Sequence, residues 1–311
     1  MNRLNKIDIV MLGVVTAIGI GMRFFDIGYI DLIGDEAQYI LGTTHVHPPL
    51  TIGTLQLVME IFGYETIVAR STNMIFGLIS IALIGLIAQT LWKNPRATFL
   101  SIALASILPS HIIFTRLVYL DSSMLCLWLL FGWLTIRYER RPSPSLLFGI
   151  FLTSLLVTFT KTQAFIPIAL FVLWRIYSLR TAVLRDHLFW ILALSGLPVA
   201  FYVATHPEIP ATIIANSSTS IFGYGFDRLI AMFAAWQRYA PFFWILLLPT
   251  ALVSFRRIGP ALSAMIIGGI VINFFLGADH KYYSIYFVPV SYTHLRAHET
   301  KANLVCRLLL E

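Results

Sequence analysis

Nine apolar stretches, at 7–21, 67–92, 97–114, 117–138, 146–160, 164–177, 188–205, 241–255 and 260–277, account for most of this chain, and a tenth begins at Tyr282. Apolar runs of this length read as membrane-spanning helices, and at about 20 residues per span the length allows about nine or ten of them. Two sizeable loops fit beside them, but a large soluble domain does not. Only 12% of the 311 residues are charged, against about 25% in an ordinary soluble domain. The mean hydropathy is +0.80. These figures exclude a cytosolic dinucleotide-binding enzyme, a disulfide-rich secreted module and a disordered chain. The expected fold is an all-α integral membrane protein with about nine to ten transmembrane helices and two long extracytoplasmic loops bearing interfacial helices.

Alternate loops differ in charge. With the N-terminus cytoplasmic, twelve Lys and Arg residues fall in short loops on that side, seven fall on the other side in longer ones, and three lie near the C-terminus. That asymmetry sets the orientation in a multi-pass membrane protein, and it also accounts for the net charge of +7 without nucleic acid as a partner. The acidic residues favour the outer side, which is where chemistry is expected. Two outer segments, 22–66 and 206–240, exceed mere connections, and loops of that length on a tightly looped bundle are usually functional. Within the first, 51–62 is too short to span and reads as a helix lying in the interface. Cys126 and Cys306 form no disulfide or metal pattern. Residues 1–290 read as one polytopic domain that stops inside its tenth span. Polarity jumps after Val290, and Ser291 to Glu311 resembles the translation of a sequencing-library adapter, so this stretch is set apart as a non-native tail.

Four groups of polar residues carry candidate chemistry. The first outer loop holds Asp35, Glu36 and Tyr39, followed by His47, Pro48, Pro49 and Leu50. On a helix beginning at Asp35, residues 35 and 39 share a face. A carboxylate can act as general base towards a hydroxyl, while a phenol and an imidazole can hydrogen-bond a phosphate. The two prolines stiffen the chain after His47. The alternative is that Asp35 and Glu36 only solvate a loop. Asp121, at the edge of the fourth span, is a functional candidate because an ionisable group there is costly; the alternative is an anchoring salt bridge with Arg116. Lys161, between two apolar stretches, either snorkels to the headgroups or binds a lipid phosphate as a point charge. Asp279, His280, Lys281, Tyr282 and Tyr283 follow the ninth span, where an aromatic belt explains the tyrosines but not the two cations. All four groups map to the same side.

Taken together these residues resemble the GT-C class of membrane glycosyltransferases, in the branch of the protein O-mannosyltransferases and the aminoarabinose transferases of lipid A. The resemblance covers residues 1–290. Asp35 and Glu36 with Tyr39 are similar to the family's acidic motif, and His47 to Leu50 resembles the segment that follows it. Asp121 matches the second acidic position, Lys161 the lysine opening the sixth span, and His280 to Tyr283 the late basic-aromatic patch. Thr162 departs from the glycine common there, and the C-terminal domain of many relatives has no counterpart.

The resemblance implies an inverting transfer of a sugar from a polyprenyl-phosphate donor to a glycan, lipid or protein acceptor at the outer face of the cell membrane. Catalytic parts fall to Asp35 as general base, Glu36 as support of the loop, and Asp121, which orients the acceptor or holds a cation in place. Tyr39, His47, Lys161, His280, Lys281 and Tyr282 are the donor-phosphate residues. No cofactor and no metal is expected. The competing classes are a transporter or flippase of polyprenyl-linked lipid and a non-catalytic binder of the lipid carrier; the first is disfavoured by the absence of a clear internal repeat.

Overall fold

The computed structural model describes residues 6–28, 32, 36–42, 47–207, 211 and 260–276. These form eleven α-helices: α1 Lys6–Phe24, α2 Glu36–Leu41, α3 Pro49–Phe62, α4 Thr66–Trp92, α5 Pro95–Ile107 and α6 Pro109–Arg116 lead into α7 Leu120–Arg140, α8 Pro144–Thr158, α9 Phe165–Leu179, α10 His187–Thr205 and α11 Pro260–Leu276. Among the described residues, a helix stands at each of eight expected stretches, and α3 coincides with the expected interfacial helix at 51–62. The stretch at 241–255, the start of a span at Tyr282, most of the second long loop and the tail 291–311 lie outside the described residues. Within them, α4, α7, α10 and the segment Phe165–Arg185 are long and apolar enough to cross a bilayer. The protein is a multi-pass membrane protein.

Local chemistry explains where the helices begin. Proline occupies the first turn of α3, α5, α6 and α8, where its missing N–H costs nothing and its fixed φ suits the helix. Asn94, Ser143 and Asp186 cap α5, α8 and α10 by accepting from the backbone N–H of Arg96, Leu146 and Leu188.

The one departure in shape is at 97–114, which the apolar run presents as a single span. It is two helices, α5 and α6, bent by 57° at Leu108. Pro109 is the cause, because its ring clashes with the preceding turn and it offers no N–H to the carbonyl four residues back.

The helices approach closely where glycine permits. A Cβ on Gly19 of α1 would lie 2.2 Å from the Ser106 carbonyl oxygen, and one on Gly77 of α4 would lie 2.5 Å from Thr115 Cβ. Both contacts are made at the bent pair, which is therefore wedged between α1 and α4. Gly13, by contrast, faces open space. Gly19→Ala and Gly77→Ala should each destabilise the fold by about 1–3 kcal/mol through overpacking. Gly13→Ala should be neutral or gain up to about 1 kcal/mol of helix propensity. Thermal unfolding of the three variants in one detergent checks the contrast.

Candidate active site at one end of the bundle

Alpha-4 has 27 residues, which makes it about 40 Å long at 1.5 Å per residue, so its two ends belong to different surfaces. Arg70 lies near its start. Around this end gather Glu36, the first residue of α2, Asp121, the second residue of α7, and Lys161, between α8 and α9. None of the four is more than 1% exposed.

Glu36 and Arg70 form a two-pronged ion pair: Arg70 Nε donates to Oε1 at 3.0 Å and Nη2 donates to Oε2 at 2.8 Å. The third arm of the guanidinium, Nη1, donates to the Ile27 carbonyl at 3.0 Å, and the Val118 backbone N–H donates to Glu36 Oε1 at 2.8 Å. This one ion pair thus binds the segment after α1, helix α2, helix α4 and the α6–α7 connection together. A planar guanidinium suits this fork, and the position of Glu36 in the first turn of α2 places its charge at the favourable helix end.

Lys161 Nζ donates to both oxygens of Asp121, each at 2.9 Å. The backbone turn that carries Lys161 is closed by the Ala164 N–H donating to the Lys161 carbonyl at 2.9 Å, and buried Trp128 Nε1 of α7 donates to the Ala164 carbonyl at 3.2 Å. Both partners of the ion pair are therefore referenced to α7.

Alpha-3 closes this end from the side. Gln56 Nε2 donates to the Ile40 carbonyl at 2.6 Å, Thr51 Oγ1 and Ser123 Oγ lie 3.1 Å apart, and the Leu50 N–H donates to the Phe159 carbonyl at 3.1 Å. The Tyr39 ring lies 6.1 Å from His47 and 6.5 Å from Tyr119, centroid to centroid. Beside them a small cavity opens between Thr51 and Leu55 of α3, Asn73 and Phe76 of α4 and the chain at Val118 to Leu120.

Five of the nine residues singled out from the sequence are thus gathered at one end: Glu36, Tyr39, His47, Asp121 and Lys161. Asp35, His280, Lys281 and Tyr282 lie outside the described residues, and with Asp35 so does the expected start of the helix that holds Glu36 and Tyr39. The alternative ion pair between Arg116 and Asp121 is not formed, since Arg116 donates to the Phe25 carbonyl and Asp121 takes Lys161 instead. Lys161 does not snorkel either. Arg70 was missed. It is one of the seven outer-side cations, and as the fourth residue of the apolar stretch 67–92 it is itself the signal of an ionisable group drawn into the membrane domain.

The family model for dolichyl-phosphate-mannose-protein mannosyltransferases matches residues 46–206, just over half of the chain. The chain belongs to this family. The family is one of the GT-C class, and His47, Arg70, Asp121 and Lys161 all fall inside the matched region. Two solved structures of a GT-C protein share the fold. ArnT from Cupriavidus metallidurans bound to undecaprenyl phosphate has a TM-score of 0.63 at 17% identity, over 91% of this chain and 59% of that one. The same protein in the apo state has a TM-score of 0.62, also at 17% identity, over 91% and 58%. The chain thus spans just under three-fifths of the length of this solved relative. No curated protein matches it.

Removing one partner of a buried ion pair leaves the other charge uncompensated, at a cost of about 3–5 kcal/mol, whereas removing both can be near neutral. Lys161→Met should therefore lower the unfolding temperature sharply. Combining it with Asp121→Asn should restore much of that loss. Additive losses in this double-variant cycle would show that the two groups are not coupled.

Proposed function

We propose that the chain transfers a sugar from a polyprenyl-phosphate donor to an acceptor hydroxyl at the outer face of the plasma membrane, with its N-terminus cytoplasmic. The observation that carries this reading is the gathering of Glu36, Arg70, Asp121 and Lys161, shielded from solvent, at one end of the apolar bundle in a chain of the mannosyltransferase family. The fold it shares with ArnT, a protein solved with undecaprenyl phosphate bound, supports the donor class.

In this reading Asp35 accepts the proton of the acceptor hydroxyl as its oxygen attacks the anomeric carbon. The C–O bond to the phosphate breaks, and the electron pair leaves on the polyprenyl phosphate. The configuration at the anomeric carbon inverts. Asp35 is covalently continuous with Glu36, whose carboxylate is fixed by three hydrogen bonds, so the base would be attached to one of the best-anchored residues of this end. A phosphate leaving group needs charge neutralisation rather than a general acid. Lys161, Lys281, His280 and His47 are assigned that part, with Tyr39 and Tyr282 as hydrogen-bonding phenols. Asp121 holds Lys161, which gives substance to its role of keeping a cation in place.

Kinetics of two variants test the assignment. Asp35→Asn should lower turnover by about 10² to 10⁴ fold, the usual share of general base catalysis, with donor affinity almost unchanged. Lys281→Ala should instead weaken donor binding by about 1–3 kcal/mol, the worth of a charge-assisted hydrogen bond. Near-normal transfer by Asp35→Asn would move the base to another carboxylate, and unimpaired transfer by both variants would remove the reading altogether.

A further inference from the structure

Arg23, His111 and Ser80 form another buried polar network, to which the transfer reaction assigns no part. Arg23 belongs to the last turn of α1, Ser80 to the middle of α4 and His111 to the first turn of α6, and all three are fully withdrawn from solvent. The Arg23 guanidinium donates through Nη1 to the carbonyls of Gly19 and Ser106, the latter at 2.6 Å. Through Nη2 it donates to the Ala105 carbonyl at 3.3 Å and to His111 Nδ1 at 2.6 Å.

An arginine can only donate, so Nδ1 accepts and the ring proton is assigned to Nε2. Nε2–H then donates to Ser80 Oγ at 2.7 Å, and the Ser80 hydroxyl donates to the Gly77 carbonyl at 2.7 Å. Each hydrogen bond has a fixed direction, and the network runs without interruption from α1 through α6 to α4.

Its position explains its composition. In an unbroken helix the Ala105 carbonyl would accept from residue 109, and residue 109 is proline. The Ser106 carbonyl would accept from Ser110, which stands beyond the bend. Backbone carbonyls released inside a membrane domain must find donors within the protein, and Arg23 supplies them at the bend itself.

The same network fixes α6, which leads directly to the candidate site. Alpha-6 has eight residues, so it is a rigid piece about 12 Å long. Its far end passes into the 117–119 connection. There Asn73 Nδ2 of α4 donates to the Leu117 carbonyl, Ser122 Oγ donates to the Phe114 carbonyl at 2.9 Å, and the Val118 N–H donates to Glu36.

We infer that Arg23, His111 and Ser80 are positioning residues of the sugar transfer: they set where α6 stands between α1 and α4, and so where Val118 meets Glu36. The kinetic half of this inference rests on the transferase reading; the structural half does not. A displacement of about 1 Å in a reacting group can cost about 10² fold in rate even when its cause is remote.

The test uses the full chain in lipid nanodiscs with Arg23→Met, Arg23→Lys, His111→Leu and Ser80→Ala. Amide hydrogen exchange is followed at Val118 and, as an internal standard, in the interiors of α7 and α8. In Arg23→Met and His111→Leu the Val118 amide should exchange faster by about tenfold or more while α7 and α8 keep their protection. Turnover per folded molecule should fall by about 10 to 100 fold, with KM for the donor within about twofold. Arg23→Lys, which keeps the positive charge and one donor nitrogen in place of the guanidinium fork, should recover part of both effects. Should the larger replacements fail to fold, Ser80→Ala should still speed Val118 exchange selectively.

Unchanged Val118 exchange in a folded variant overturns the inference. So does a uniform loss of protection across α4, α7 and α8, which is the mark of general destabilisation. Absence of sugar transfer in the unaltered chain would overturn the transferase reading alone, and Val118 exchange would then decide whether the network positions this connection.

Discussion

Withdrawing a carboxylate or a cation from water costs several kcal/mol per ion even after the surroundings relax, and a membrane domain offers no solvent to reduce that cost. Glu36, Arg70, Asp121 and Lys161 meet it in pairs, with every charge answered within 3.0 Å. This requirement organises one end of the molecule. Glu36 and Arg70 lie 34 residues apart in sequence, and Asp121 and Lys161 lie 40 apart. Each pair therefore fixes helices that sequence proximity would leave free. A buried ion pair is weak evidence for stability in itself; here its value is geometric, because it holds charged groups in defined places without water to blur them.

The connection from Leu117 to Asp121 is where these constraints meet. Its Leu117 carbonyl accepts from Asn73, its Val118 N–H reaches Glu36, the Tyr119 ring approaches Tyr39, and Asp121 takes Lys161. At no more than about 3.6 Å per residue, Val118 and Asp121 are within about 11 Å of each other, so the two ion pairs are neighbours tied by three peptide bonds. The bend at Pro109 belongs to the same design. It turns α6 towards this connection, and the Arg23 network satisfies the carbonyls that the bend releases. The candidate site and the bend share one cause here, the need to satisfy polar groups in an apolar surrounding.

That need also explains what the sequence disclosed. Lipid demands long apolar runs, so α4 and α10 could be read to within one residue at each end and α7 to within three. The proline at 109 carried equally clear information, but the run at 97–114 looks continuous to any average over hydropathy. Asp121 and Lys161 drew attention as rare charges beside apolar stretches and Glu36 as one of an acidic pair in the first outer loop, and all three are buried. Their partners were harder to find. Arg70 and Arg23 resemble ordinary loop cations at span ends, and His111 is a single imidazole in an apolar run. Which cation answers which carboxylate depends on how helices distant in sequence are brought side by side, and periodicity carries no record of that.

The reaction itself is tested most directly by stoichiometry. The purified chain in nanodiscs is given a series of polyprenyl-phosphate sugars with candidate acceptors, and free polyprenyl phosphate and glycosylated acceptor are quantified together with the anomeric configuration of the product. Transfer by an inverting mechanism gives one polyprenyl phosphate for each sugar moved, with the configuration at the anomeric carbon reversed from that in the donor. Recovery of the donor intact, moved between leaflets or simply bound, would contradict it and leave a transporter or a lipid-carrier binding protein in its place.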